Sequence, residues 1–195
     1  TLNSVGILFR DLGDYTSARS KHERALSIRK KVYGAEHPNV ATSLNNLGIV
    51  LYDIGDYAGA RAQFDEALRI REKALGLEHP DVETSRINLA VVLLDLGDHG
   101  GARGLLGRAY SLAAVSGVPE RRRHAQFGLS LAHAALGDGE AAIFFGKQAV
   151  NTVQGMRGGL IALESGLQAS FLERQRQAYE HLARNLVEAG RLPEA

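Results

Sequence analysis

Apolar residues recur along the chain at the three-and-four spacing of an amphipathic helix. Leu44, Leu47, Leu51 and Ile54 form one such stripe, and Ala60, Phe64, Ala67 and Leu68 form the next. Gly55 and Asp56 separate the two. A glycine there supplies the left-handed residue that ends a first helix, and the aspartate is placed to N-cap a second. The pattern predicts a helical hairpin.

The hairpin repeats. Leu-Gly-Asp-Tyr at Leu12–Tyr15 returns as Ile-Gly-Asp-Tyr at Ile54–Tyr57, then as Leu-Gly-Asp-His at Leu96–His99 and Leu-Gly-Asp-Gly at Leu136–Gly139. A looser copy is Ala-Gly-Arg-Leu at Ala189–Leu192. Gly13, Gly55, Gly97, Gly137 and Gly190 are separated by 42, 42, 40 and 53 residues. Five residues after each glycine stands an alanine: Ala18, Ala60, Ala102, Ala142 and Ala195. A second alanine follows in the first four copies, at Ala25, Ala67, Ala109 and Ala149. Seven residues before each glycine is a small residue (Gly6, Gly48, Ala90, Ser130, Ala183), preceded by Val5, Leu47, Leu89, Leu129 and Leu182. Small residues at these columns let two helices approach closely. One hairpin cannot bury its apolar face alone, so neighbours must stack.

These columns predict an all-α chain of repeats at about 1–40, 41–82, 83–120 and 121–157. The step of 53 residues and the pair Gly158-Gly159 break the period. Residues 158–195 are therefore expected to form an irregular helical segment and a partial fifth repeat, leading to a C-terminal region missing from this chain.

The same columns resemble the tetratricopeptide repeat. The small residue in the first helix, the glycine turn and the two alanines of the second helix coincide with that family's pattern. The family's large aromatic early in the first helix is absent, with Leu44 in its place, and the 42-residue step exceeds the usual period of about 34. Leu-Asn-Asn-Leu-Gly at Leu44–Gly48 and Gly-Leu-Glu-His-Pro-Asp-Val at Gly76–Val82, echoed at Gly34–Val40, are similar to the kinesin-light-chain variety. The likeness is closest over Thr1–Gly117 and looser over Val118–Gly155. It implies a right-handed superhelical solenoid that acts as a protein–protein interaction scaffold, holding a peptide or protein partner in a concave groove. Ser170-Phe171-Leu172, Tyr179, Leu182-Ala183 and the final Gly190–Ala195 resemble the segment that joins such repeats to a caspase-like CHAT domain in bacterial proteins. That likeness implies an alternative, the regulatory arm of a larger CHAT-type protease whose catalytic domain lies outside this chain.

Composition narrows the partner class. With 23 Lys and Arg against 22 Asp and Glu, the net charge of +1 argues against nucleic acid and anionic membranes. No apolar run approaches the roughly 20 residues of a membrane span. The absence of cysteine removes a thiol nucleophile and a disulfide framework, which fits the cytoplasm. No nucleophile motif is present, so no enzymatic activity and no cofactor are expected.

In the family the first helix of each hairpin lines the groove. The matching peptide-binding candidates are Asn3, Asn45, Asn46, Tyr52, Asn88 and His133. Asparagine carries both donors and an acceptor, so it can hold a peptide backbone without demanding sequence. Asn46 and Asn88 equally suit a second role, tying adjacent helices together. Asp53 and Asp95 oppose the dipole at the ends of their helices, which suggests either a use or simple solvation. His37 and His79, each between Glu and Pro, are expected to cap or turn rather than bind metal, since zinc needs about four convergent ligands. Arg121-Arg122-Arg123-His124 suits either a solvated patch or a phosphate or acidic peptide. The glycines at 97, 100, 101, 104 and 107 lie on the turn and second helix of the third hairpin, expected to be its flexible point. Cut solenoid ends expose apolar surface and favour self-association.

Overall fold

The structure, a computed structural model, describes residues 1–158, 176 and 179–189. Every regular element among them is helical. The helices divide between two compact units, the chain passing from the first to the second between Gly97 and Asp98.

The first unit holds α1 (Leu2–Asp11), α2 (Tyr15–Tyr33), α3 (Pro38–Asp53), α4 (Tyr57–Leu75) and α5 (Pro80–Asp95). α1 pairs with α2 and α3 with α4 as hairpins, α2 packs on α3 and α4 on α5, and the first helices α1, α3 and α5 touch in sequence. The second unit holds α6 (His99–Ser116), α7 (Pro119–Ala135) and α8 (Gly139–Gly158), with α7 packed on both neighbours. A further helical segment covers 179–188. The rest of the expected irregular tail and partial fifth repeat, including Ser170-Phe171-Leu172 and the final Gly-Arg-Leu, lies outside the described residues.

The Gly-Asp pair closes the α1–α2, α3–α4 and α7–α8 hairpins by a double hydrogen-bond device. Gly55 has φ +83°, and its N–H donates to Tyr52 while the N–H of Asp56 donates to Leu51. The Asp56 carboxylate then accepts from the N–H of Gly59 at 2.9 Å and caps α4. One aspartate thus ends one helix with its backbone and starts the next with its side chain. The pattern recurs at Asp14 and Asp138. His37 and His79 start α3 and α5: each Nδ1 accepts from a backbone N–H two residues on, at 3.1 Å, with Pro38 and Pro80 in the first turn. No group of metal-binding side chains exists among the described residues.

In the first two hairpins the small residue of the first helix admits a large one from the second. A Cβ at Gly48 would lie 2.8 Å from the ring of Phe64, and one at Gly6 would lie 2.6 Å from His22. Val40, Ala41, Leu44, Ala67 and Ile70 form the apolar nucleus of the second hairpin, with Leu26 against it.

α6 is helical throughout despite its glycines. A Cβ at Gly104 or Gly107 would meet open space. Gly104→Ala and Gly107→Ala are each expected to stabilise the chain by about 1 kcal/mol, because alanine favours a helix interior. Thermal denaturation followed by circular dichroism checks this, and a lowered midpoint for either variant would contradict it.

Candidate functional site

The first-helix face of the first unit is organised by polar links between successive first helices. Arg10 on α1 bonds Asp53 on α3, and the Tyr52 hydroxyl on α3 donates to Asp95 on α5 at 2.7 Å. Asn88 on α5 donates to the Asn45 amide oxygen on α3 at 2.9 Å. All three links join residues 43 apart, one repeat plus one residue. The aspartates that oppose their helix dipoles therefore receive donors from the preceding first helix. Burial and the Asp95 carboxylate push the Tyr52 hydroxyl above its ordinary pKa, so it stays a donor.

The six groove candidates divide by position. Asn3 and Asn45 occupy the same register, and each is only 7% exposed. The Asn3 amide oxygen accepts from Arg29 at 2.8 and 3.1 Å, and its nitrogen reaches His22 Nδ1 at 3.2 Å. Asn46 and Asn88 share the next register and are half-buried. Asn88 is committed to Asn45, whereas Asn46 makes no side-chain hydrogen bond among the described residues. Tyr52 lies further along α3, beside Tyr57. His133 belongs to the second unit, where Nδ1 meets the Asp138 carboxylate at 3.0 Å and the ring stacks on Phe145. The structure bonds Asn45 to Asn88 and leaves Asn46 one position further along α3, while Asn3 is enclosed at the register of Asn45 on α1.

His22 is almost wholly buried. Burial first, then the charges of Arg10 and Arg29, hold its pKa below the ordinary value. A depressed histidine pKa means that protons bind the unfolded chain more tightly. The stability this leaves is present above the ordinary histidine range and is lost as the pH falls through it. His22 stands where Phe64 stands one repeat on, so His22→Phe removes the titration while keeping a ring. The stability difference between variant and wild type is expected to shift in favour of the variant as the pH drops from neutral, as read by denaturant unfolding at a series of pH values. A constant difference would contradict it.

In the second unit the basic run does not form one solvated patch. Arg123 is buried and donates to Glu120 at 2.8 Å, while Arg122 turns into a pocket between helices. That pocket has a volume of about 530 Å³ and is walled by Tyr110 on α6, Arg122 and Gln126 on α7, and Gln148 and Thr152 on α8. A second recess of about 450 Å³ lies between α8 and the 179–188 segment, lined by Val150, Tyr179 and Leu186 among others. No helix among the described residues is long and apolar enough to cross a membrane.

Several solved structures are similar to this one. BtubC (BKLC) from P. vanneervenii is 22% identical over 80% of this chain and 63% of its own, with a TM-score of 0.73. The putative kinesin light chain TPR-like repeats of Podosopora anserina are 21% identical, with 95% and 92% of the two chains covered and a TM-score of 0.71. The Rap conjugation gene regulator of plasmid pLS20, solved with the Phr* peptide, is 19% identical over 99% of this chain and 49% of its own, at a TM-score of 0.71. This chain thus spans less than two thirds of BtubC and about half of the Rap regulator. Such identities show the fold alone. No curated protein matches the sequence. Tetratricopeptide repeat profiles match residues 1–73, 50–115 and 87–154, which together cover most of the molecule. The chain belongs to the tetratricopeptide repeat family.

Proposed function

We propose that the chain is a non-enzymatic scaffold whose first-helix face holds a peptide or protein partner through Asn46 and Tyr52, on a face braced by Asn45 and Asn88. The observation that carries this reading is the state of Asn46. Its neighbours Asn45 and Asn88 are spent on each other, which fixes α3 against α5. Asn46 presents an amide with no bond of its own from a rigid helix, ready to donate to a carbonyl and accept from an N–H of an extended chain. Asn3 shapes this face from behind rather than reaching a ligand. We place His133 on the first-helix side of its own unit, where Asp138 and Phe145 hold its ring. The likeness to the Rap regulator solved in complex with the Phr* peptide supports a peptide as the class of partner. We place the protein in the cytoplasm, where a chain without cysteine and with balanced charge is at home.

Photo-crosslinking in cells tests the reading. A benzophenone amino acid replaces Asn46 in one variant and the exposed Arg61 on α4 in another. Crosslinks to a polypeptide are expected from position 46 in excess of those from 61, and are expected to fall when Asn88→Ala loosens the face. Equal yields from both positions would rule the groove out.

A further inference from the structure

The fourth hairpin copies the second at a distance of 82 residues, but not in its nucleus. In the second hairpin Val40, Leu44 and Ile70 are buried in an apolar cluster. At the same columns the fourth hairpin carries Arg122, Gln126 and Thr152. The neighbouring ion pair is lost as well. Ala114 stands on α6 where α4 has Glu72, and Gln126 stands on α7 where α5 has Arg86; in the first unit those two form an ion pair at 2.8 Å. The result is the pocket of about 530 Å³, in the range of small-ligand sites.

The polar groups of the pocket are prearranged. The Gln148 amide oxygen accepts from the Tyr110 hydroxyl at 2.9 Å and from the Gln126 amide at 3.0 Å. The single Thr152 hydroxyl proton is shared between the Gln126 oxygen and the Gln148 backbone carbonyl, each at 2.9 Å. Gln126 is only 2% exposed, so this network is interior structure rather than surface decoration. With its oxygen held by two donors, Gln148 has one amide orientation, and its N–H groups remain uncommitted. Asn151, on the pocket's rim, has an uncommitted amide as well. Arg122 donates once, to the Ala114 carbonyl at 3.3 Å, while its buried Nε has no partner. Donors therefore converge on a space that no acidic side chain lines. The buried Nε of Arg122 lacks an acceptor as do those of Arg71, Arg86 and Arg123, so what sets Arg122 apart is the polar pocket beside its guanidinium.

We propose that this pocket binds the carboxylate of a short peptide. A forked guanidinium matches a carboxylate with two parallel bonds. The surrounding amides and hydroxyls suit peptide N–H and C=O groups, and no lysine adds the point charge favoured by phosphate. The site sits on α6, α7 and α8 and uses none of the groove asparagines, so it stands or falls independently of the groove. The carboxylate comes either from a peptide C-terminus or from an acidic side chain.

The test is a nuclear magnetic resonance titration of the whole chain, following the side-chain amides of Gln126, Gln148 and Asn151. The probes are acetyl-triglycine with a free carboxylate, its C-terminal amide, acetyl-Gly-Glu-Gly-amide, and sodium phosphate. One of the two carboxylate peptides is expected to shift these amides saturably, and which one does so identifies the source. The fully amidated triglycine is expected to bind about tenfold more weakly or worse, the loss of one charge-assisted contact. Arg122→Gln is expected to weaken the carboxylate peptide by about the same factor and leave the amidated one unchanged. Asn151→Ala, an exposed change that leaves the core untouched, is expected to weaken binding severalfold, while Asn46→Ala leaves it unaltered. Unmoved amides with both carboxylate peptides, saturation by phosphate alone, or full affinity in folded Arg122→Gln or in Asn151→Ala would overturn the proposal.

Discussion

Phe64→Ala will destabilise the chain by about 3–5 kcal/mol, the range for deleting a buried aromatic ring. Phe64 is 2% exposed and fills the space that Gly48 leaves on the facing helix. Gly48→Ala will also destabilise, by about 1–3 kcal/mol, because its new methyl would sit 2.8 Å from the ring. The decisive measurement is the pair. With the ring gone, the methyl at position 48 enters vacated space, and alanine favours the helix over glycine. Adding Gly48→Ala to Phe64→Ala should therefore restore stability. A double-mutant cycle from urea unfolding reads this directly. Additive losses would mean that the small column of the repeat is not there to admit the large one.

That column was the clearest signal in the sequence, for a physical reason. Helix-on-helix approach tolerates few residue types at Gly6, Gly48, Ala90 and Ser130, so the period survives substitution elsewhere. The turn chemistry was legible on the same ground, since a left-handed glycine followed by a capping aspartate has few substitutes. The groove was less legible. Sequence spacing places Asn45 and Asn46 side by side, but a helix turns about 100° between them. The first is consumed by Asn88 and the second is left with its amide uncommitted, and only the register of neighbouring helices decides which. Asn3 has the register of Asn45, and its enclosure by Arg29 and His22 follows from side chains on another helix.

The pocket of the second unit was hidden for the opposite reason. Its residues were printed in the repeat all along, at columns that hold Val40, Leu44 and Ile70 in the second copy. The constant columns specify the fold. The columns at which the apolar nucleus turns polar hold Arg122, Gln126 and Thr152. An isolated basic run at the start of a helix says little; the same run at the columns of a buried core says that something polar belongs there.

One further column shows how the repeat exchanges polar for apolar contacts, and it predicts a change of sign. Arg71 on α4 is buried, and its guanidinium donates to the Ser85 hydroxyl at 2.7 Å and the Asp81 carbonyl at 3.1 Å on α5. Arg29 makes the matching bonds to Ser43 and Asn39 one repeat earlier. In the second unit both members of the pair are alanine, Ala113 and Ala125, each fully buried. The polar lock is thus dispensable when both partners change together. Ser85→Ala alone strands part of a buried guanidinium, whose pKa burial already depresses, and should cost about 1–3 kcal/mol. Adding Arg71→Met keeps the aliphatic stem, removes the stranded charge and matches the apolar surface of the new alanine, so most of that loss should return. Thermal and urea unfolding of the two single variants and the pair decide it. If Arg71→Met merely adds its own loss to that of Ser85→Ala, the bonds are worth what they appear to be singly, and the alanine pair of the second unit needs another cause.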